Sequence, residues 1–144
     1  MIDTLKEFEE CVQKNGKIDS SLVNWFRLMD NEKLSEEFIE TYCGHLDWDC
    51  LCRCQTLSEP FIEKHLNKFD LYSAKLFRYQ TLSESFIEKH FLKGHQYYIT
   101  VFQKVSEEFI ERNPEKVYWE YLLKYQTLSE TFKEKYADKL KERN

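Results

Sequence analysis

The chain has only three glycines and two prolines in 144 residues, too few for collagen-like, linker or turn-rich sequence. It has no apolar run approaching the ~18 residues that cross a bilayer. Its opening stretch, MIDTLKEFEECVQKNG, is charged throughout and lacks the apolar segment of a signal peptide. No basic stripe is visible, and a net charge of -5 argues against nucleic acid as a direct ligand. The five cysteines (Cys11, Cys43, Cys50, Cys52, Cys54) are odd in number and four of them are crowded together, which fits a reducing compartment better than a disulfide framework. These absences predict a cytoplasmic protein with no membrane partner and no cofactor.

What is present is charge (33%) and large rings (16% aromatic), in a repeating frame. Leu-Ser-Glu-X-Phe-Ile-Glu begins at Leu34, Leu57 and Leu82, returns as Val-Ser-Glu-Glu-Phe-Ile-Glu at Val105, and closes as Leu-Ser-Glu-Thr-Phe-Lys-Glu at Leu128. The spacings are 23, 25, 23 and 23 residues. Leu28, Leu51, Leu76, Ile99 and Leu122 stand six before each start, and Gln55, Gln80, Gln103 and Gln126 stand two before. Trp25, Trp48 and Trp119 stand nine before, where the other units have Ser73 and Gln96.

Each unit reads as two short helices. Ser35, Ser58, Ser83, Ser106 and Ser129 are predicted N-caps, each followed by a glutamate where the helix dipole favours negative charge. The Leu or Val before the cap and the Ile four residues into the helix form a hydrophobic staple. The first helix should run from about Glu36 to Tyr42 and the second from about Asp47 to Cys54, both too short to be stable without stacking unit on unit. The Phe and Ile columns (Phe38, Ile39 and their equivalents) are assigned to the inner face of the first helices. The Leu column and the rings Tyr79, Phe102 and Tyr125 are assigned to the inner face of the second.

The expected fold is therefore all-α, an α-solenoid of short helix-pair repeats with capping helices at both ends. A single helical repeat domain over 1–144 would comprise an N-terminal cap and partial repeat (1–33), repeats 34–56, 57–81, 82–104 and 105–127, and a C-terminal capping helix (128–144). At the front, Ile2, Leu5, Phe8 and Val12 suggest an amphipathic helix ending near Gly16. At the back, Lys133 replaces the Ile and the tail KEKYADKLKERN is polar.

The unit LSExFIEKH followed by Trp-x-x-Leu-x-x-Tyr-Gln resembles the short helical repeats of uncharacterised proteins from large DNA viruses and bacteriophages, over residues 34–140. The resemblance implies the fold and a viral or mobile-element origin, and brings no catalytic residues. Units two and three depart from it by lacking the Trp.

Several side-chain groups invite chemistry. Cys43, His45, Cys50 and Cys54 have the donor types of a zinc site. Against that, Cys43, Cys52 and Cys54 occupy columns filled elsewhere mostly by apolar residues, where free cysteine acts as a small hydrophobe. His65 and His90 share a column with Tyr42, Asn113 and Tyr136, which favours a structural role at a helix end over a general base. No phosphate-binding Gly loop, HExxH or triad spacing is present, so no enzyme activity is expected.

Two surfaces remain as protein-binding candidates. One is a ridge of carboxylates on one face of the first helices, in rows four residues apart: Glu36, Glu59, Glu84 and Glu107, then Glu40, Glu63, Glu88 and Glu111. Its bland account is dipole complementation and pairing with Lys64, Lys89 and Arg112; its sharper account is docking to a basic surface. The other comprises Tyr97, Tyr98, Tyr118, Trp119 and Tyr121 on the second helices, residue types enriched at binding hot spots. The leading expectation is a non-enzymatic protein-protein interaction module, monomeric, acting as a viral or phage factor that binds and inhibits a host protein. Its rivals are an acidic decoy that mimics nucleic acid and a zinc-binding protein centred on residues 43–54.

Overall fold

The computed structural model describes residues 1–70 and 74–141, and the position of Ser73 in the Trp column lies outside them. Among the described residues the structure is all-helical, with no strand beyond one isolated parallel bridge between Ile2 and Val23. No described helix is long and apolar enough to cross a membrane. The chain divides into two compact units, Met1–Phe69 and Asp70–Asn144.

The first unit contains α1 (Leu5–Asn15), α2 (Trp25–Asn31), α3 (Glu36–Tyr42), α4 (Trp48–Cys54) and α5 (Glu59–Lys64). α1 begins with a capping box in which Thr4 and Glu7 satisfy each other's backbone N–H groups. It ends at Gly16, whose φ of 70° is left-handed and whose N–H reaches the Val12 carbonyl at 2.7 Å. Phe8 is the buried contact of α1, with its ring 5.1 Å from both Phe38 and Tyr42 and 6.0 Å from Trp25. α2 and α4 pack side by side.

The second unit contains α6 (Lys75–Tyr79), α7 (Glu84–His90), α8 (Gln96–Phe102), α9 (Glu107–Arg112), α10 (Trp119–Tyr125) and α11 (Glu130–Lys135). Here α8 packs against both α6 and α10, so the three second helices of successive repeats form one layer. Leu140 is buried beyond α11.

Five of these helices start in the same way. The hydroxyls of Ser35, Ser58, Ser83, Ser106 and Ser129 accept from the backbone N–H of Phe38, Phe61, Phe86, Phe109 and Phe132 at 3.0 to 3.3 Å. The residues before them (Leu34, Leu57, Leu82, Val105, Leu128) are buried, and so are Ile39, Ile62, Ile87 and Ile110. A six- or seven-residue helix is marginal alone, so this shared apolar side is what holds each one.

One column lies opposite to its expected side. Tyr79, Phe102 and Tyr125 keep 39 to 42% of their surface in solvent, whereas Leu76, Ile99 and Leu122 in the same helices are buried. In α6 the buried ring is Phe77, fully enclosed and two residues before Tyr79. Two steps along an α-helix turn the side chain by roughly 200°, so in α6 Phe77 and Tyr79 point to opposite sides.

Candidate functional site: an aromatic face on the second helices

Glutamine joins each repeat to the next within both units. The Gln55 carboxamide donates to the Met29 and Glu32 carbonyls at 2.6 and 2.7 Å and accepts from the Leu34 N–H at 2.9 Å. Gln103 does the same with Phe77, Gln80 and Leu82, and Gln126 with Thr100, Gln103 and Val105. Each therefore closes the open linker of the preceding repeat. Buried main-chain groups must find partners, and an uncharged amide supplies donor and acceptor together. The sequence carries the signal for this role, a Gln recurring at one register, though periodicity gives it no meaning.

Both acidic rows do the same work on the other side. Glu36 accepts from the Ser58 N–H and hydroxyl at 2.6 and 3.0 Å, Glu84 from the Ser106 N–H at 2.5 Å, and Glu107 from the Ser129 N–H and hydroxyl. In the second row Glu40 meets Lys64 and His65, Glu88 meets Arg112 and Asn113, and Glu111 meets Lys135 and Tyr136, at 2.5 to 3.1 Å. These partners hold the carboxyls below their ordinary range: the Lys64 ammonium and then His65 for Glu40, the Asn113 amide and then Arg112 for Glu88, the Lys135 ammonium and then the Tyr136 hydroxyl for Glu111. Glu59 and Glu63 also have interaction partners. The column of His65, Asn113 and Tyr136 is thus a set of hydrogen-bonding groups aimed at the preceding repeat's glutamate.

Of the cysteine and histidine group, Cys50 and Cys54 come together, with sulfurs 3.6 Å apart, and the Cys54 thiol points at Asp30 Oδ1 at 3.3 Å. Burial first, then the Asp30 contact, pushes the Cys54 thiol up to about 11, so it is protonated near neutral pH. His45 lies flat against Trp25 at 4.9 Å. Among the described residues no three His, Cys, Asp or Glu side chains converge as a metal site would require.

The tyrosines converge. Tyr97 makes edge contacts with Tyr98 at 5.5 Å, Tyr121 at 5.7 Å and Phe102 at 6.4 Å. Tyr121 in turn reaches Tyr118 and Tyr125. Tyr97 and Tyr118 are exposed, as are Tyr79, Phe102, Leu123 and Tyr125. Trp119 is not part of this cluster. It stacks on Phe132 with the rings 5° from parallel, lies 5.2 Å from Tyr136, and donates its indole N–H to the Pro114 carbonyl. Trp48 stacks on Phe61 in the same manner, so the ring at this column fastens a second helix to the next first helix.

Cations lie over the exposed rings. The Arg78 guanidinium carbon is 5.2 Å from the Tyr79 centroid and 5.4 Å from that of Phe102, placing it between two repeats. Lys124 lies 5.2 Å from Tyr125. Neither forms an ion pair among the described residues, in contrast to Lys64, Arg112 and Lys135 on the first helices.

Compared with family models, curated proteins and solved structures, the sequence and structure return no match. The arrangement therefore has to be judged by its own chemistry. That chemistry is a partly exposed aromatic surface on α6, α8 and α10, carried by repeats that glutamine and glutamate side chains bond to one another.

Proposed function

We propose that this chain is a non-enzymatic protein-interaction module, monomeric and cytoplasmic, whose helix pairs continue as an α-solenoid with capping helices at both ends and present the aromatic face of α6, α8 and α10 to a protein partner. One observation carries the reading: rings from three successive repeats are exposed together on one layer. Tyrosine and tryptophan give large contact areas at small conformational cost, and clustered rings are where binding energy concentrates. A contiguous exposed apolar patch on a small chain is itself a mark of an interaction site.

The acidic rows serve this reading as fasteners. The carboxylates of Glu36, Glu40, Glu84, Glu88, Glu107 and Glu111 are bonded from one repeat to the next, which supports the aromatic face over an acidic decoy as the docking surface. The resemblance to viral and phage repeats makes a host protein the partner class to look for, with inhibition of that protein as the outcome.

The test is affinity capture from host-type lysate at low and high salt, using the wild-type chain and a Tyr97→Ala/Phe102→Ala variant whose melting curve confirms that it folds. A protein retained at high salt by the wild type and lost by the variant supports the proposal. Retention by both chains, or capture only of basic nucleic-acid-binding proteins that wash off with salt, counts against it.

A further inference from the structure

We infer that the partner segment docked on this face is an extended stretch with an apolar centre and acidic ends. This rests on the aromatic face being the docking surface. The helices α6, α8 and α10 carry Lys75, Arg78 and Lys124 against a single acid, Glu120, while the chain as a whole is at -5. The layer of second helices is thus locally basic in an acidic protein.

The placement of the charges is specific. Arg78 and Lys124 occupy the same register two repeats apart, and Val101 stands at that register between them. Each lies against an exposed ring, and neither has a carboxylate partner among the described residues. Lys64, Arg112 and Lys135 on the first helices, by contrast, pair with this chain's own glutamates. A guanidinium on a ring face keeps its outer N–H groups free for a carboxylate.

Adjacent packed helices lie about 8–10 Å apart, so two steps place Arg78 and Lys124 roughly 16–20 Å apart. An extended chain advances about 3.3 Å per residue and covers that distance in about five or six residues. Between the two carboxylates the segment crosses Val101, Phe102, Tyr97 and Tyr98, a surface that calls for apolar side chains. Single-stranded nucleic acid fits less well, because it needs a cation at nearly every phosphate and meets Val101 at the middle register.

The probe is a fluorescein-labelled nonapeptide with alternating leucine and phenylalanine in the centre and paired aspartates at each end. Its counterpart carries lysine for aspartate, and an oligothymidine of similar length is the competitor. Fluorescence anisotropy at low salt should show the aspartate peptide binding at least about tenfold tighter than the lysine peptide. In an Arg78→Glu/Lys124→Glu variant with an unchanged melting curve, that preference should reverse. Equal binding of both peptides that is abolished by Phe102→Ala overturns the acidic inference and leaves the aromatic docking surface standing. Binding indifferent to Phe102→Ala, or no binding of either peptide, removes both. Oligothymidine displacing the aspartate peptide with higher affinity gives the face to nucleic acid, and salt-sensitive self-association lost in the charge-reversed variant gives it to a second copy; either result overturns the inference.

Discussion

Glu36 holds the cap of α5, 22 residues further on: its two carboxylate oxygens accept from the backbone N–H and the hydroxyl of Ser58. The Ser58 hydroxyl accepts in turn from the Phe61 N–H, so one carboxylate charge is relayed through a serine into the first turn of α5. Glu107 and Ser129 repeat the arrangement ahead of α11. The serine is thus both a local cap and a contact between repeats.

Replacing it should show both roles. Ser129→Ala should cost about 0.5–2 kcal/mol, the usual range for a lost N-cap. In a double-mutant cycle with Glu107→Gln, urea unfolding should give a coupling of at least ~0.5 kcal/mol between the two positions. Strict additivity would mean that the carboxylate and the cap act independently.

Gln103 is buried and makes three hydrogen bonds to main-chain groups, two in the preceding repeat and one at the Leu82 N–H that opens its own. Gln103→Ala leaves those groups unpaired and should destabilise by about 3 kcal/mol. Gln103→Glu should be at least as damaging at neutral pH, because a carboxylate cannot donate to the Phe77 and Gln80 carbonyls. A buried carboxyl there would have a raised pKa in the folded state, so part of the loss should return as pH falls through that value. Chemical denaturation of both variants across pH checks this, and a harmless Gln103→Ala would show that the clamp is dispensable.

Tyr79, Phe102 and Tyr125 separate what the sequence states from what it leaves open. The Ser caps and the Leu, Phe and Ile columns were legible because each has one local physical reason. The ring column was not: apolar character was read as burial, and a seven-residue helix with apolar groups on two sides has no single moment to orient it. Gln55, Gln103 and Gln126 stand in plain register, yet recurrence alone does not say which main-chain groups an amide in a linker bonds. Phe77→Ala should cost about 3–5 kcal/mol as a core deletion, whereas Tyr79→Ala and Phe102→Ala should stay within about 1 kcal/mol. Thermal melts of the three variants check the assignment.

The acid limb of stability should trace to Glu40, Glu88 and Glu111. Their carboxyls sit below the ordinary value of 4.5 in the folded chain. A depressed folded-state pKa adds stability that is complete above the unfolded value and is lost as pH falls through the folded one. The melting temperature should therefore drop below about pH 4.5, and more shallowly in a Glu40→Gln/Glu88→Gln/Glu111→Gln variant. Since the pairs are solvent-exposed, added salt should reduce their contribution.

The glutamine joint has a consequence for how such a chain can change over generations. Each glutamine joint asks for one amide and three main-chain groups, and the side-chain fasteners beside it, glutamate to the next serine cap, are the same from repeat to repeat. A gene that duplicates or drops a whole period between matching registers keeps every remaining seam intact. The rings on the outer layer are then free to diversify, while the joint that carries them stays fixed.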